Sequence, residues 1–309
     1  MQKKFFLLFL IFLLLPLFSS CQKAETKNAA APSAPSADAK RFPFKGIVVS
    51  VNKAKNEATI SHDEIPGYMD AMTMPFPIKD TWVMDEISAG SQIQGELVVE
   101  KGDFYLEHVA IVVAPNPNQP PPPSSSEQAE KELAGKEVPN FQLTNQDGKR
   151  ISTNDFRGKA LAVTFIYTRC PLPNFCPLMS IRFSEIAMNL QKSPELKDKV
   201  RLLSITFDPA HDTPQVLKNY GAGYYNKDTK PDFTLWQLAT GSEEDIHKIA
   251  DFFGLAYQPD ATDKTQIIHS LRTIVIDPQG KIRKVFAGNE WSSEQVLKEM
   301  QASLTADNK

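Results

Sequence analysis

Thr168-Arg169-Cys170-Pro171-Leu172-Pro173-Asn174-Phe175-Cys176-Pro177 is the stretch on which the reading of this chain turns. It follows the apolar run from Ala160 to Tyr167, which has the length and composition of a buried strand. After Pro177 comes Leu178 to Leu190, long enough for a helix, and proline suits a first helical turn. A strand that ends in a cysteine pair and leads into a helix is a recurrent setting for thiol chemistry. Pro171 and Pro173 prevent a regular helix between the cysteines, yet five residues suffice to close a loop that brings two sulfurs together. Cys176 falls at the helix N-terminus, whose partial positive charge, with Arg169 nearby, favours thiolate. The pair reads as a redox couple or as two soft ligands for a soft metal. In an oxidising compartment a structural disulfide is the third option.

Only one other cysteine exists, Cys21, and the N-terminus accounts for it. Lys3 and Lys4 precede an apolar run from Phe5 to Phe18, interrupted by Pro16. That run is shorter than the roughly 20 residues a spanning helix needs, so residues 1–20 read as a signal peptide. Leu17-Phe18-Ser19-Ser20-Cys21 resembles a bacterial lipobox, which would make Cys21 a lipidated first residue anchoring the chain to a membrane. The alternative is an ordinary cleaved signal with an incidental cysteine. Both readings place the protein outside the cytoplasm, on the periplasmic side. The net charge of −3 supplies no basic field, which argues against nucleic acid as a partner.

At 309 residues two domains are expected, and two breaks in composition divide them. Residues 21–41 are small, polar and proline-spotted and read as a tether. Residues 115–132 include Pro120 to Pro123 and read as a stiff proline-rich linker. Between the breaks, residues 42–114 hold five short strand-like runs: 44–51, 57–61, 72–78, 92–99 and 104–113. Five strands in so short a span suggest a small closed all-β barrel of the OB type. Residues 133–309 alternate strands and helices, which implies an open α/β sheet. Thr213 with Pro214 marks one helix start.

Further residues bear on the metal question. His269 precedes the apolar run 273–276 and falls in a loop at a sheet edge. Imidazole with two thiolates suits copper, and thiolate selects Cu(I); alone, such a histidine reads more readily as a solvated or hydrogen-bonded loop residue. Met72 and Met74 alternate on one strand and share a face, with His62 on a neighbouring strand. Two thioethers and an imidazole form a soft site for Cu(I), although methionines also simply fill cores. His108 and His247 have no partners in the sequence pattern and read as surface or structural residues.

Residues 137–303 resemble the Sco/SenC family. The resemblance rests on Tyr167-Thr168-Arg169-Cys170-Pro171 with Cys176-Pro177, on Ser204-Ile205-Thr206-Phe207-Asp208-Pro209-Ala210-His211-Asp212-Thr213-Pro214, and on His269-Ser270 leading to Ile276-Asp277-Pro278-Gln279-Gly280. It implies a thioredoxin-like fold that helps to assemble the CuA centre of cytochrome c oxidase, with copper on Cys170, Cys176 and His269 and with Asp208 near the site. The family usually has three residues between its cysteines; here there are five, and Arg169 stands where His or Ser is more common. Residues 42–113 resemble the periplasmic copper chaperone CusF, which implies Cu(I) ligation by His62, Met72 and Met74. Met69 stands near the position of that family's metal-capping Trp and is a possible accessory ligand or lid.

Together these features lead to the expectation of a lipid-anchored copper chaperone that captures Cu(I) and passes it to a copper-receiving respiratory oxidase subunit. The alternatives are a thiol–disulfide oxidoreductase acting through Cys170 and Cys176 on a copper-site protein, and copper sequestration.

Overall fold

Strand β1 (Lys40–Asn52) shows how the first domain is built: Phe44, Gly46 and Val48 point inward while Pro43, Lys45 and Ile47 face water. The structure is a computed structural model describing residues 39–100, 103–114, 125–260, 263 and 265–305, all within one compact unit. The signal peptide, Cys21, nearly all of the tether and residues 115–124 lie outside the described residues.

With β1, strands β2 (Glu57–His62), β3 (Met72–Pro77), β4 (Gln92–Glu100) and β5 (Asp103–Val113) form an antiparallel sheet in the order β3-β2-β1-β4-β5. A short helix, α1 (Val83–Glu86), joins β3 to β4. The β1–β2 turn passes through Asn56 at φ 50°, a left-handed conformation that asparagine tolerates. Gly46 lies opposite His62, and a Cβ there would stand 2.5 Å from Ile60 Cγ2, so glycine allows β1 and β2 this close approach.

Among the described residues the only β-bridge between the two ends of the sheet is Ile78–Leu106. The expected OB-type barrel is therefore not closed by a continuous ladder. Pro75 and Pro77 have no N–H to donate, which confines β3 to an edge.

The second domain opens with helix α2 (Ser125–Leu133). This corrects the reading of residues 115–132 as linker throughout. Ala129 and Leu133 are buried, and Lys284 donates to Glu130 at 2.6 Å. So few apolar positions give too weak a period to read in advance.

There follow β6 (Gln142–Asn145), β7 (Arg150–Ser152), β8 (Ala160–Ile166), α3 (Cys176–Gln191), α4 (Pro194–Lys197), β9 (Val200–Thr206), α5 (Pro214–Ala222), β10 (Trp236–Thr240) and α6 (Glu243–Phe253). The chain ends with β11 (Tyr257–Pro259), β12 (Ile267–His269), β13 (Arg272–Ile276), β14 (Ile282–Ala287) and α7 (Ser293–Thr305). Seven strands form one sheet in the order β14-β13-β8-β9-β10-β6-β7, and β11 pairs with β12 apart from it. The central strands β8, β9 and β10 run parallel, joined by crossovers that contain α3 and α5.

Every residue of β8 is buried, as a central parallel strand requires. Trp236 is fully buried, and its indole N–H donates to Ser204 Oγ at 2.9 Å, which satisfies a donor that water cannot reach. Ile166 and Thr206 are register partners at the C-terminal ends of β8 and β9. The loops 167–175 and 207–213 therefore leave the sheet side by side, at the end of a parallel sheet where ligand sites recur. No described helix is long and apolar enough to cross a membrane.

Candidate metal centres

The loop after β8 ends as Cys176 becomes the first residue of α3. Strand β12 carries His269 to the same point, so the expectation that it lies in a loop is corrected. The two three-residue strands of this pair, one ending in Pro259, have no readable period. The ligand atoms of Cys170, Cys176 and His269 all lie within 4.8 Å of one another. Cys176 Sγ is 3.5 Å from His269 Nε2 and accepts from Tyr167 N–H at 3.4 Å. His269 Nδ1 donates to the carbonyl of Ser270 at 2.9 Å. That bond fixes the tautomer and leaves the Nε2 lone pair facing sulfur. Tyr167, Phe175 and Phe207 surround the imidazole with ring centroids 4.7–5.8 Å away, a largely apolar setting.

Both cysteines are free thiols with unequal acidity. The hydrogen bond from Cys176, then the contacts with His269 and the Leu172 backbone, hold the Cys170 thiol far below its ordinary range. Burial pushes Cys176 well above it, and the negative charge on Cys170 adds to the effect. This corrects the expectation that the helix N-terminus would make Cys176 the thiolate. Arg169 is likewise turned away: its guanidinium donates to Asp208 Oδ2 at 2.7 and 3.2 Å.

A checkable consequence concerns Cys170. Its alkylation by iodoacetamide is expected to be nearly flat from pH 6 to 8, whereas an ordinary thiol of pKa about 8.5 would gain roughly tenfold per unit. A steep rise, read at Cys170 by peptide mass spectrometry, would contradict the charge assignment.

Asp212, within the Ser204–Pro214 stretch, is a structural participant whose role only the fold reveals. It is fully buried, and its carboxylate accepts from Thr168 N–H at 3.0 Å and from the hydroxyls of Thr168 and Thr206 at 2.5 Å each. It thereby ties the cysteine loop to the end of β9. Burial raises its pKa above the ordinary carboxylate value in spite of these donors. Asp208, held by Arg169, braces the same loop from outside. Beside it a cleft of about 650 Å³ opens between Arg169, Asp208, His247, Tyr257 and Ile267. A larger depression of about 900 Å³ near Lys149 and Asp232 touches none of the Cys170, Cys176 and His269 set.

In the first domain His62 and Met72 are cross-strand partners, and Met74 lies two residues on, opposite Ile60. His62, Met69, Met72 and Met74 are all buried. His62 Nδ1 donates to the carbonyl of Asp63 at 2.7 Å, while Nε2 is buried with no hydrogen-bond partner. An unsatisfied buried acceptor costs about 1–3 kcal/mol, and a soft metal ion beside thioethers would satisfy it. Burial lowers the His62 pKa, so the ring stays neutral and its lone pair remains available in mildly acidic solution. Met69 closes the turn before β3 through a backbone pair with Ile65.

His108 is exposed and lies beside Glu96, and His247 stacks on Tyr257. The cluster of Glu96, Glu107 and His108 is already neutralised by Arg41, which pairs with both carboxylates, and by Lys79, which pairs with Glu107.

Comparison with known proteins matches residues 129–305, more than half of the chain, to SCO1/SenC. The chain belongs to the SCO1/SenC family. Its relatives in that family include the SCO1 protein homolog of Bacillus subtilis (strain 168), 31% identical over 157 residues, which span 50% of this chain and 75% of that protein. A SCO1/SenC family lipoprotein from Bacillus anthracis str. Ames has 29% identity and a TM-score of 0.46, covering 54% of this chain and 95% of that structure. BsSco, a member of the Sco family of cytochrome c oxidase assembly proteins studied for a disulfide switch, has 27% identity and a TM-score of 0.46, covering 56% of this chain and 95% of its own. Ahead of its SCO1/SenC region, the chain matches the copper binding periplasmic protein CusF over residues 41–111. The open α/β sheet of the second domain is the one the alternating elements led one to expect, and it agrees with the thioredoxin-like fold that the SCO1/SenC resemblance implied.

Proposed function

We propose that this SCO1/SenC chain is an extracytoplasmic copper chaperone. Its amino-terminal domain, a CusF-type five-stranded sheet within residues 42–114, captures Cu(I) through His62, Met72 and Met74, with Met69 as accessory. Cys170, Cys176 and His269 of residues 133–309 then hold the ion for delivery to a CuA-type site of a respiratory oxidase. Residues 1–20 act as the signal peptide, Cys21 as the lipid anchor on the periplasmic side, and the following residues as tether.

The observation that carries this reading is convergence. Two unrelated sheets each bury a histidine whose Nδ1 is committed to a backbone carbonyl, with sulfur-bearing residues beside the ring. Imidazole nitrogen with thiolate or thioether sulfur is a donor set that favours Cu(I) over harder ions. The relatives, a copper-binding periplasmic protein and a family of cytochrome c oxidase assembly proteins, support the same cargo and acceptor.

Chelator competition on the full chain tests it. Two equivalents of Cu(I) are expected, falling to one in Cys170→Ser and to one in His62→Ala. X-ray absorption on Cys170→Ser is expected to retain a sulfur-and-nitrogen shell from the amino-terminal site. Failure of the full chain to compete at either site would sink the proposal.

The unequal acidity of the cysteines supports a second reading, a thiol–disulfide oxidoreductase. Cys170 thiolate would attack a disulfide of a copper-site protein and release one of its thiolates. Cys176, losing its proton, would then attack Cys170 Sγ and release the second. The substrate would gain two electrons and this chain would end as the Cys170–Cys176 disulfide. Under that reading His269→Ala spares activity that Cys170→Ser abolishes; under the copper reading both lose it.

A further inference from the structure

Among the described residues, hydrogen bonds and ring contacts join the amino-terminal domain to the second domain at three places, and all three lie on the rim of the Cys170–Cys176–His269 site. The first is the cysteine loop itself. Asn174 donates to Glu57 Oε2 at 3.5 Å, and Phe175, the residue before Cys176, meets Phe104 edge to face with centroids 6.2 Å apart. The second is the turn after β14, where Asn289 Nδ2 lies 3.3 Å from Glu57 Oε1 and 3.2 Å from the carbonyl of Asn174. The third is the β11–β12 unit that ends in His269. Gln258 donates to the carbonyl of Tyr68 at 2.8 Å and accepts from Asp70 N–H at 3.1 Å, while Tyr68 donates to Asp260 at 3.1 Å.

These contacts are specific and desolvated. Glu57 is only 4% exposed, a carboxylate taken out of water to face two side-chain amides. Such burial is costly unless the partners are in place, so Glu57 discriminates between the docked arrangement and a loosely slid one. The segment pinned by Gln258, residues 68–70, contains Met69 and is separated from Met72 by Ala71 alone. Between the two histidines stand three rings in series, Phe76, Phe104 and Phe175, with successive centroids 5.3–6.2 Å apart from His62 to His269. In the docked arrangement an aromatic wall separates the sites, so the interface is no open channel for an ion.

We propose that the amino-terminal domain is a tethered gate. Docked through Glu57, Tyr68, Asp70 and Phe104, it covers the rim by which another protein would reach Cys170, Cys176 and His269, and it must swing away before that protein can engage. The covering itself is independent of copper; only the identity of the excluded partner, a copper-receiving protein, rests on the function proposed above. Covalent attachment makes the contact intramolecular, so a modest interface suffices to hold it shut while remaining easy to open.

The test uses the full-length, metal-free, reduced chain. Cys170 is alkylated in parallel with iodoacetamide and with a polyethylene-glycol maleimide, and each rate is read at Cys170 by peptide mass spectrometry. In the wild type the bulky reagent is expected to be strongly retarded relative to the small one. In Glu57→Ala/Gln258→Ala the bulky reagent is expected to gain about tenfold, the effect of weakening a few hydrogen bonds of this kind, with the small-reagent rate unchanged. Small-angle scattering is expected to give a larger radius of gyration for the variant, and Gln258→Ala alone an intermediate value. Equal bulky-reagent rates in wild type and variant would overturn the gate, as would entry of the bulky reagent into the wild type through the cleft beside Arg169. So would an unchanged radius of gyration. None of these outcomes depends on whether either site binds Cu(I), so the copper reading stands or falls separately.

Discussion

Cys176→Ser is expected to fold normally and to lose Cu(I) from the thioredoxin-like site by at least on the order of 100-fold, more than the 10–100-fold typical of losing a group that only supports a ligand. The physical ground is donor softness: a serine hydroxyl is hard, neutral and poorly matched to Cu(I), whereas Cys176 Sγ already lies 3.5 Å from His269 Nε2. Ser270→Ala is the contrasting control, because His269 uses the Ser270 backbone carbonyl and that remains. The measurement is chelator competition in a His62→Ala background, which silences the other proposed site. Retention of affinity within threefold in Cys176→Ser would remove Cys176 from the ligand set. The proposed site would then reduce to Cys170 and His269.

The second large effect concerns Asp212. Asp212→Ala is expected to destabilise the chain by about 3 kcal/mol, because it removes a carboxylate that accepts three hydrogen bonds and orphans the buried Thr206 hydroxyl, the half-buried Thr168 hydroxyl and a backbone N–H. The measurement is denaturant unfolding, with the midpoint shifted and the slope unchanged. The same variant is expected to loosen the cysteine loop, since Thr168 precedes Cys170 by two residues. Alkylation of Cys176, which is fully buried in the native loop, is therefore expected to become detectable.

The pH dependence has a definite sign. Burial places the folded-state pKa of Asp212 above its unfolded value. The linked stabilisation is therefore complete below the unfolded carboxylate range and is lost as pH rises through the folded pKa. Asp212→Asn is expected to flatten that dependence. A stability profile that rises with pH over the same window in the wild type and is unchanged in Asp212→Asn would reverse the assignment.

Much of this architecture was legible because its signals are local. A fully apolar seven-residue run makes β8, proline at the first turn starts α3 and α5, and Thr213 accepts from Val216 N–H to cap α5. The alternation in β1 and the shared face of Met72 and Met74 follow from the two-residue period of a strand. Where the reading failed, the signal was short or non-local. Helix α2 offers few apolar residues, β11 and β12 have three residues each, and closure of the first sheet depends on where Pro75 and Pro77 fall relative to a partner strand.

By itself the sequence determined the domain order, the residue types able to hold a soft metal, and the strand-to-helix setting of Cys170 and Cys176, because composition, spacing and period are properties of the chain alone. Only the tertiary structure decided which cysteine bears the charge. Spacing suggested the helix terminus would favour thiolate at Cys176, but complete burial outweighs a partial charge, and the hydrogen bond from Cys176 leaves Cys170 the thiolate. Only the tertiary structure, too, brought His269 to the pair across 93 residues, assigned Arg169 to Asp208, and set Glu57 against Asn174 and Asn289. Those contacts join residues far apart in the chain, and no local pattern encodes such a distance.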